Sequence, residues 1–371
     1  MIKKTHFRRF SKNLYSIAAL MPLIDAQLAD EPKDGIMLYS FATAQAIEVY
    51  NEVSRAQVDA IFIAGGPHPS AKPREALEFF DYVVIGEGEE TLPELIDVLQ
   101  KGKSSAGVLG IAYKENGQVI FTGYRPMVDL DSYPPFGRIL APLEISRGCP
   151  WGCAYCQTPR LCGSKMRHRS IPVIVKYARH HKDIRFTSPN SLAYGSDGRT
   201  PKLDKVESLL SALAELEKPI YFGTFPSEVR PEFVSDRALE LINRYCSNRT
   251  LNIGGQSGSP RVLEAINRGH GPEEIELASQ LCLDHGMTPL VDFIFGLPME
   301  TQKDQLLTLE LAKKIIQKGG RIRAHHFTSL PGTPLADTAP APIADFVAAE
   351  LGRLALDGMV SGSWMARGRT V

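Results

Sequence analysis

Short apolar runs alternate with stretches of helical periodicity along the first third of this chain. The apolar runs predict buried strands at residues 35–41, 60–64 and 82–85, with a further short strand over residues 1–4. The periodic stretches predict helices at residues 14–28, 44–56, 74–80 and 91–101, and residues 5–13, 65–70 and 86–90 are predicted to be loops. Residues 108–114 and 119–122 predict a hairpin that turns through Asn116-Gly117. The alternation predicts an α/β fold built on a parallel, doubly wound sheet, whose ligands bind beyond the carboxyl ends of the strands.

A second series of strands and helices follows a segment rich in proline, glycine and aspartate. Strands are predicted near residues 143–146, 184–187, 220–223, 250–254, 288–294 and 321–327, and helices near 173–180, 205–216, 237–245, 260–267, 272–285 and 302–318. Six such units predict a partial (β/α)6 barrel with its chemistry at the carboxyl ends of the strands. We therefore predict an amino-terminal domain over residues 1–125, a linker over 126–140 and a barrel core over 141–335. Residues 336–371, with Arg367 and Arg369 near the end, are predicted to be a lid or a mobile tail.

Composition and charge narrow the function. The 371 residues include 42 basic and 42 acidic side chains, a balance that argues against a nucleic-acid partner. No apolar run approaches the length of a membrane span and no signal peptide is visible, so we expect a cytoplasmic protein without a membrane partner. Six cysteines, three of them in one short segment, suit a reducing compartment better than a disulfide framework.

Cys149, Cys153 and Cys156 are separated by three and then two residues. Three cysteines can hold three corners of a 4Fe–4S cube and leave the fourth iron open to a chelating ligand. The alternative is a zinc knuckle or a group of structural thiols, with Cys162 as the fourth ligand that a structural zinc site requires. Cys246 and Cys282 are predicted to be core thiols.

The segment Cys149-Pro-Trp-Gly-Cys153-Ala-Tyr-Cys156 resembles the cysteine signature of radical S-adenosylmethionine (SAM) enzymes. The resemblance implies that the open iron binds SAM, whose reductive cleavage gives a radical that abstracts hydrogen from the substrate. An external electron donor is then required. The same resemblance implies that Tyr155 lies near the adenine.

The strand ends of the predicted barrel supply candidates for the SAM pocket. Residues 293–300 resemble the family's Gly-x-Ile-x-Gly-x-x-Glu element, which places Ile294 at the cofactor. Arg230 or Arg268 would bind the SAM carboxylate through two parallel hydrogen bonds, unless each pairs with a barrel glutamate instead. The remaining candidates at these strand ends are Ser188, Asn190, Glu228, Gln256 and Ser257.

Two glycine-rich loops at predicted strand ends, residues 65–68 and 86–91, could each be a bare tight turn. Together they resemble the cobalamin-binding domain that precedes the radical SAM domain in one subclass of that family. The resemblance implies cobalamin contacts at Gly65, Gly66, Pro67, His68, Gly86, Glu87, Gly88 and Thr91. For His68, the alternative is a histidine that merely caps its loop.

The axial ligand of cobalt is a separate question. In family members that ligate cobalt through histidine, the first loop carries Asp-x-His-x-x-Gly. Around His6, Lys4 and Arg9 replace the aspartate and the glycine. No carboxylate at that spacing can orient the imidazole, so we expect cobalamin to bind without His6 on cobalt.

The combined resemblance implies a cobalamin-dependent radical SAM enzyme that methylates an unactivated sp3 carbon. Residues 35–40, 188–195 and 223–230 resemble a compact archaeal branch that contains the glutamine C-methyltransferase of methyl-coenzyme M reductase, which implies a protein or peptide substrate. One alternative is a cobalamin radical SAM enzyme that does not transfer methyl, such as an oxidative cyclase or a ring-rearranging enzyme. An alternative of another class is an iron–sulfur electron carrier or binding protein.

Overall fold

A computed structural model describes residues 3–10 and 12–365, and the chain divides into two compact units. The first unit runs to Ala141 and also includes Arg160–Gly163. The second comprises Pro142–Pro159 and the chain from Ser164 onward. Residues 126–140, predicted to be a linker, group with the first unit. No helix within the described ranges is both long and apolar enough to cross a membrane.

The first unit is built on a seven-stranded sheet with strand order β2-β1-β3-β4-β5-β6-β7. Its strands are β1 (Thr5–Arg8), β2 (Gln27–Ala29), β3 (Gly35–Ser40), β4 (Ala60–Gly65), β5 (Tyr82–Val84), β6 (Ile111–Glu115) and β7 (Gln118–Phe121). Its helices are α1 (Leu14–Leu20), α2 (Ala46–Arg55), α3 (Pro67–Ala71), α4 (Pro73–Ala76) and α5 (Gly88–Gln100). Strands β1 to β5 pair in parallel, and the predicted hairpin adds β6 and β7 antiparallel at one edge.

Both faces of this sheet are covered, as a doubly wound fold requires. All six residues of β3 are buried. Met37 and Tyr39 belong to one apolar cluster, whereas Ile36 and Leu38 belong to a second. Because successive side chains of a strand point to opposite faces, this alternation places one cluster on each side of the sheet.

Two predictions near the amino end were wrong. The first strand is β1 at Thr5–Arg8, where a loop was predicted, and it pairs with β2 and β3. The polar residues His6 and Arg8 interrupt the apolar run that would have predicted a strand. The helix predicted over residues 14–28 ends at Leu20 and passes through a 3-10 turn, Met21–Leu23, into β2. Pro22 lies in that turn, where it cannot donate a helical hydrogen bond. Met1 and Ile2 lie outside the described residues.

Both glycine-rich loops are shorter than predicted because a helix begins inside each. Gly66 has a φ of +93°, which turns the chain out of β4, and α3 then begins at Pro67. Proline suits the first helical position because its missing N–H would have no partner there. After β5, α5 begins at Gly88 and not at Thr91.

The second unit contains a partial barrel. Its strands are β8 (Leu143–Glu144), β9 (Ser146–Arg147), β10 (Arg167–His168), β11 (Ile184–Thr187), β12 (Ile220–Tyr221), β13 (Thr250–Gln256), β14 (Thr288–Phe295), β15 (Arg321–His326) and β16 (Val360–Ser363). A short helix, α6 (Thr158–Leu161), spans the chain position where the units change. The remaining helices are α7 (Ile171–Ala178), α8 (Leu203–Ala214), α9 (Asp236–Tyr245), α10 (Pro260–Ala265), α11 (Pro272–Asp284), α12 (Gln302–Gln317) and α13 (Asp345–Leu356).

The barrel wall consists of two parallel sheets, β12-β11-β8 and β13-β14-β15-β16. A parallel bridge between Val229 and Ile253 joins them, and Asn252 N donates to Gly223 O at 2.9 Å beside it. The wall therefore follows the order of the chain, with its carboxyl ends at one rim, as the repeated units predicted.

The segment predicted to be a lid or a mobile tail instead completes the wall. α13 and β16 add one more helix–strand unit, and β16 pairs in parallel with β15. A Cβ at Gly362 would lie 2.2 Å from the Ala324 carbonyl oxygen, so this pairing requires glycine. The prediction missed the strand because Val360 is its only buried apolar residue. Arg367 and Arg369 lie outside the described residues.

Candidate functional site

A cavity of about 440 Å³ opens in the second unit at the carboxyl ends of the barrel strands. Three groups of predicted residues meet there: the cysteines of the signature, polar residues of the strand ends, and apolar residues expected near the adenine. They are Cys149, Cys153, Cys156, Tyr155, Ser188, Asn190, Glu228, Arg230, Gln256, Arg268 and Ile294.

The cysteine loop is held by backbone and ring contacts. Ala154 N donates to Ile266 O at 2.9 Å, and Trp151 Nε1 donates to Gly198 O at 2.9 Å. Trp151 also packs on Gly269, where an added Cβ would lie 2.3 Å from the ring. These contacts fix a loop that glycine and proline keep out of helical geometry, and Cys153 is only 5% exposed.

The donor set fits an iron–sulfur cluster. Three cysteines without disulfide bonds line one cavity, and burial raises the pKa of the Cys149 and Cys156 thiols, so a metal must displace protons to bind them. Among the described residues, no three His, Cys, Asp or Glu side chains are grouped around a single metal ion as a zinc site would require, whereas a 4Fe–4S cluster takes one cysteine on each of three irons. Cys162 groups with the first unit and does not line the cavity.

Arg268 reaches this cysteine loop from the turn after α10. Its side chain is buried, and Nη1 donates to Cys153 Sγ at 3.7 Å while Nη2 donates to Gly254 O at 2.7 Å. Its Nε has no hydrogen-bond partner among the described residues. One N–H of a buried guanidinium is thus available to a ligand.

Arg230 is engaged differently. It pairs with Glu232, donates to Arg268 O, and its guanidinium lies 3.8 Å from the centroid of the Trp151 ring. Burial alone would raise the pKa of Glu232, but the hydrogen bond with His270 and the charge of Arg230 lower it to about 2. Arg230 therefore follows the alternative stated for it, pairing with a glutamate, and it braces Trp151.

Asn190 presents an unsatisfied amide to the cavity. The residue is 2% exposed, and neither its Oδ1 nor its Nδ2 has a partner within the part of the chain that the structure describes. Buried polar groups are normally paired, so an orphaned amide at a cavity wall indicates a ligand contact. Ser257, by contrast, does not line the cavity, and its hydroxyl lies 3.2 Å from the Thr308 hydroxyl. The contact of Ser257 with a cofactor stays a prediction.

A charged group on the far wall was not predicted as part of the site. Asp292 on β14 forms a two-pronged ion pair with Arg323 on β15, and His325 follows at 4.0 Å. Burial raises the pKa of Glu228 to about 7, the charge of Asp292 adds to that rise, and Arg268 opposes it. The signal available in the sequence is a lone carboxylate, Asp292, in the largely apolar β14 and basic side chains at alternate positions of β15, which places Arg323 and His325 on the same face of that strand.

Glu300 supports the loop after β14 and does not line the cavity. Its Oε2 accepts hydrogen bonds from Gly296 N at 2.6 Å and Leu297 N at 3.2 Å. Burial nevertheless raises the pKa of its carboxyl to about 7, although these two bonds oppose the rise.

We expect Glu300→Gln to flatten part of the pH dependence of stability. An unfolded glutamate titrates near 4.3, so between that pH and about 7 the folded chain binds more protons than the unfolded one. This contribution to the free energy of unfolding is complete below the lower value and is lost as pH rises through the higher one. The stability of the wild type relative to the variant should therefore fall by about 2 kcal/mol between pH 5 and pH 8.

Urea unfolding followed by tryptophan fluorescence can measure this difference, because Trp151 and Trp364 both belong to the second unit. A difference between the two proteins that stays constant with pH would contradict the prediction.

The first unit presents its glycine-rich loops at the carboxyl ends of β4 and β5. Gly86 has a φ of +81°, its N–H donates to Ser70 Oγ at 3.0 Å, and no atom lies within 4 Å of the place where a Cβ would stand. A flat ligand can therefore approach this backbone closely, which fits cobalamin. Gly65, Gly66 and Pro67 lie in the neighbouring turn.

Other predicted cobalamin contacts have protein partners. Thr91 is buried and donates to Leu109 O at 3.2 Å, while Glu87 accepts a hydrogen bond from Val128 N at 2.9 Å. Gly88 packs near Leu20, 3.4 Å from the Cβ position. These three residues connect the loop to neighbouring parts of the chain, and their contacts with cobalamin stay predictions.

The two histidines considered for the cobalamin site are both buried in the first unit. His68 is 4% exposed, its ring nitrogens lie 3.1–3.2 Å from Thr43, Tyr50 and Glu75, and its ring stacks on Phe41. These hydrogen bonds favour the alternative stated for His68, a histidine that caps its loop, and its contact with the corrin stays a prediction. His6 lies within β1 and not in the loop that follows.

We expect the coordination of cobalt to be the same in His6→Ala and His68→Ala as in the wild type, because neither histidine is expected to supply a nitrogen ligand. Electron paramagnetic resonance of the cob(II)alamin form would be the same in both variants as in the wild type. His68→Ala should instead lower the free energy of unfolding by about 1–3 kcal/mol, because buried hydrogen bonds are removed. Nitrogen splitting that disappears in either variant would overturn this.

Two protein families match the chain in the two regions described above. The radical SAM superfamily matches residues 143–312, and the B12 binding domain matches residues 18–96. The cofactors are therefore a 4Fe–4S cluster, SAM and cobalamin, as the sequence predicted.

Proteins similar to this chain over most of its length are longer than it and share just over a quarter of the aligned residues. An uncharacterized methyltransferase of Pyrococcus horikoshii is 28% identical over 304 residues, which cover 76% of this chain and 64% of the relative. The tRNA-2-methylthio-N(6)-dimethylallyladenosine synthase of Aquifex aeolicus is 27% identical over 256 residues, which cover 66% of this chain and 54% of that enzyme. The chain thus spans between half and two thirds of these relatives.

Solved structures share the fold. The radical S-adenosylmethionine methyltransferase TsrM from Kitasatospora setae, with cobalamin and a [4Fe-4S] cluster bound, has a TM-score of 0.69 at 15% identity, covering 91% of this chain and 74% of TsrM. The cobalamin-dependent S-adenosylmethionine radical enzyme OxsB, with aqua-cobalamin and S-adenosylmethionine bound, has a TM-score of 0.64 at 18% identity, covering 96% and 55%. The predicted order, a parallel sheet followed by a partial barrel, is confirmed.

Proposed function

We propose that this chain, which unites a radical SAM domain with a B12-binding domain, is a cobalamin-dependent methyltransferase acting on carbon. The observation that carries the proposal is the cavity in which three cysteines meet a buried arginine and an unsatisfied asparagine. A plain electron carrier needs the cysteines but has no use for unpaired polar groups beside them. A cofactor with its own carboxylate and amino groups would satisfy both.

Each residue then has a task that follows from its position. Cys149, Cys153 and Cys156 would hold the cluster, which together with SAM and cobalamin supplies hydrogen abstraction and methyl donation when bound. Arg268 would bind the SAM carboxylate through its free Nε–H, and Asn190 would hold the amino group. Of the two arginines considered for the carboxylate, Arg268 is favoured because Arg230 is already paired with Glu232.

The apolar part of the cavity would orient the adenine and exclude water. Ile294 and Tyr155 line it beside the cysteine loop, and Tyr155 belongs to the cysteine signature itself. Water excluded from such a site cannot quench a reactive carbon.

The finer proposal is methylation of an unactivated sp3 carbon, with a glutamine of methyl-coenzyme M reductase as the candidate substrate. Its support is the resemblance of residues 35–40, 188–195 and 223–230 to the archaeal branch that contains that glutamine C-methyltransferase. The substrate is then a protein or peptide.

Anaerobic reconstitution with iron, sulfide, cobalamin and methyl-labelled SAM tests the function, with a one-electron donor added. We expect 5'-deoxyadenosine together with label on a peptide that carries the glutamine, found by mass spectrometry. Deoxyadenosine without transferred label would favour the non-methylating alternative. A cluster that forms but yields no deoxyadenosine would favour an electron carrier.

A further inference from the structure

The guanidinium of Arg268 is built into the cysteine loop. The residue is 6% exposed and its Nη1 donates to Cys153 Sγ at 3.7 Å. Cys153 is the most buried of the three signature cysteines. A full positive charge therefore lies against one sulfur ligand with little water between them.

The backbone fixes where this guanidinium lies. Nη2 donates to Gly254 O at 2.7 Å, and a Cβ at residue 254 would lie 2.6 Å from the same nitrogen. The chain at 254 therefore has to be glycine for the arginine to occupy this place. Arg230 adds a second restraint, because it donates to the Arg268 carbonyl oxygen.

Hydrogen bonds to the sulfurs of an iron–sulfur cluster, together with its net charge, set its reduction potential. A donor that carries positive charge stabilises the more negative, reduced state, and the effect is strongest where the surroundings are apolar. The other charges of the cavity cannot replace Arg268. Arg323 is paired with Asp292, and Arg230 is paired with Glu232 and stacked on Trp151.

We propose that Arg268 tunes the iron–sulfur cluster, raising its reduction potential through the hydrogen bond to Cys153 and so easing the transfer of the first electron. The inference rests on the proposed function, since it requires a cluster on these cysteines. It gives Arg268 two distinct tasks, because Nη1 faces Cys153 whereas Nε is free for the SAM carboxylate. It also means that part of the increase in the reduction potential of the cluster is present before SAM binds.

The test is a redox titration of the reconstituted protein without SAM, followed by electron paramagnetic resonance of the reduced cluster. For Arg268→Gln we expect the equilibrium constant of one-electron reduction to fall at least tenfold, which is about 59 mV. Arg268→Lys keeps the charge and loses the fork, so an intermediate fall is expected. Arg323→Gln is the matched control, since it removes a guanidinium from the same cavity without touching a cysteine, and its potential should fall less than that of Arg268→Gln.

Iron content separates tuning from assembly. If Arg268→Gln loads no cluster, Arg268→Lys and Gly254→Ala decide, because both retain a positive charge and move it away from Cys153. A potential equal to that of the wild type in the variants that load would overturn the inference. A wild type that shows no 4Fe–4S signal would instead overturn the proposed function, so the two failures are distinguishable.

Discussion

Replacing Cys149, Cys153 or Cys156 with alanine is expected to abolish the iron–sulfur cluster and, with it, all cleavage of SAM. All three line one cavity, and a cube held at two corners loses both an iron ligand and its orientation. Iron content and the visible absorption band of the reconstituted protein report the cluster. Release of 5'-deoxyadenosine reports cleavage, and it should fall below detection in each variant.

Cys162→Ala is the matched control for these variants. Cys162 groups with the first unit and lies outside the cavity, so iron content and cleavage should stay at the level of the wild type. Loss of both in Cys162→Ala would mean that a fourth cysteine closes the cluster and that no iron is open to SAM.

Gly86→Ala is expected to weaken cobalamin binding at least tenfold, which is about 1.4 kcal/mol. The added methyl group would meet no protein atom within 4 Å, so it would project into the space where cobalamin is expected. Gly66 is a poorer probe, because a Cβ there would lie 2.8 Å from Ser40 Oγ and would disturb the fold itself. Equilibrium titration with hydroxocobalamin, read in the visible spectrum, gives the affinity.

Gly117→Ala controls for backbone strain. Gly117 has a φ of +77° against +81° at Gly86, and its Cβ position is equally open, but it lies in the β6–β7 hairpin turn. Both variants should lose similar stability, whereas only Gly86→Ala should lose cobalamin. Equal affinity in the two variants would remove this loop from the cobalamin site.

The order of strands and helices was predictable because each type of element has its own hydrophobic periodicity in the sequence. Central strands such as β4 carry continuous apolar runs, and amphipathic helices such as α9 carry one apolar face. β1 and β16 were not predictable in this way. β1 has one apolar residue, Phe7, among three polar ones, although strands pair with it on both sides, and β16 is held by its pairing with β15.

The residues of the candidate site also differ in how far local sequence predicts them. Residues fixed by a local motif, such as the signature cysteines, came together in the cavity as the spacing predicted. The hydrogen-bond partners of individual side chains were not predictable in this way. His68 is satisfied by Thr43, Tyr50 and Glu75, and Ser257 lies beside Thr308, fifty-one positions along the chain. No local pattern announces such partners, because they meet only when the chain is folded.

The pairing of β16 with β15 has a consequence for how this protein can be shortened. A chain cut after residue 335, at the predicted end of the barrel, would leave the backbone N–H and C=O groups of β15 unpaired along one side. An exposed parallel edge is a template for association with other chains. Such a truncated protein should aggregate even though every cysteine of the signature is retained. By covering the edge of β15, the last helix and strand would reduce self-association of the barrel.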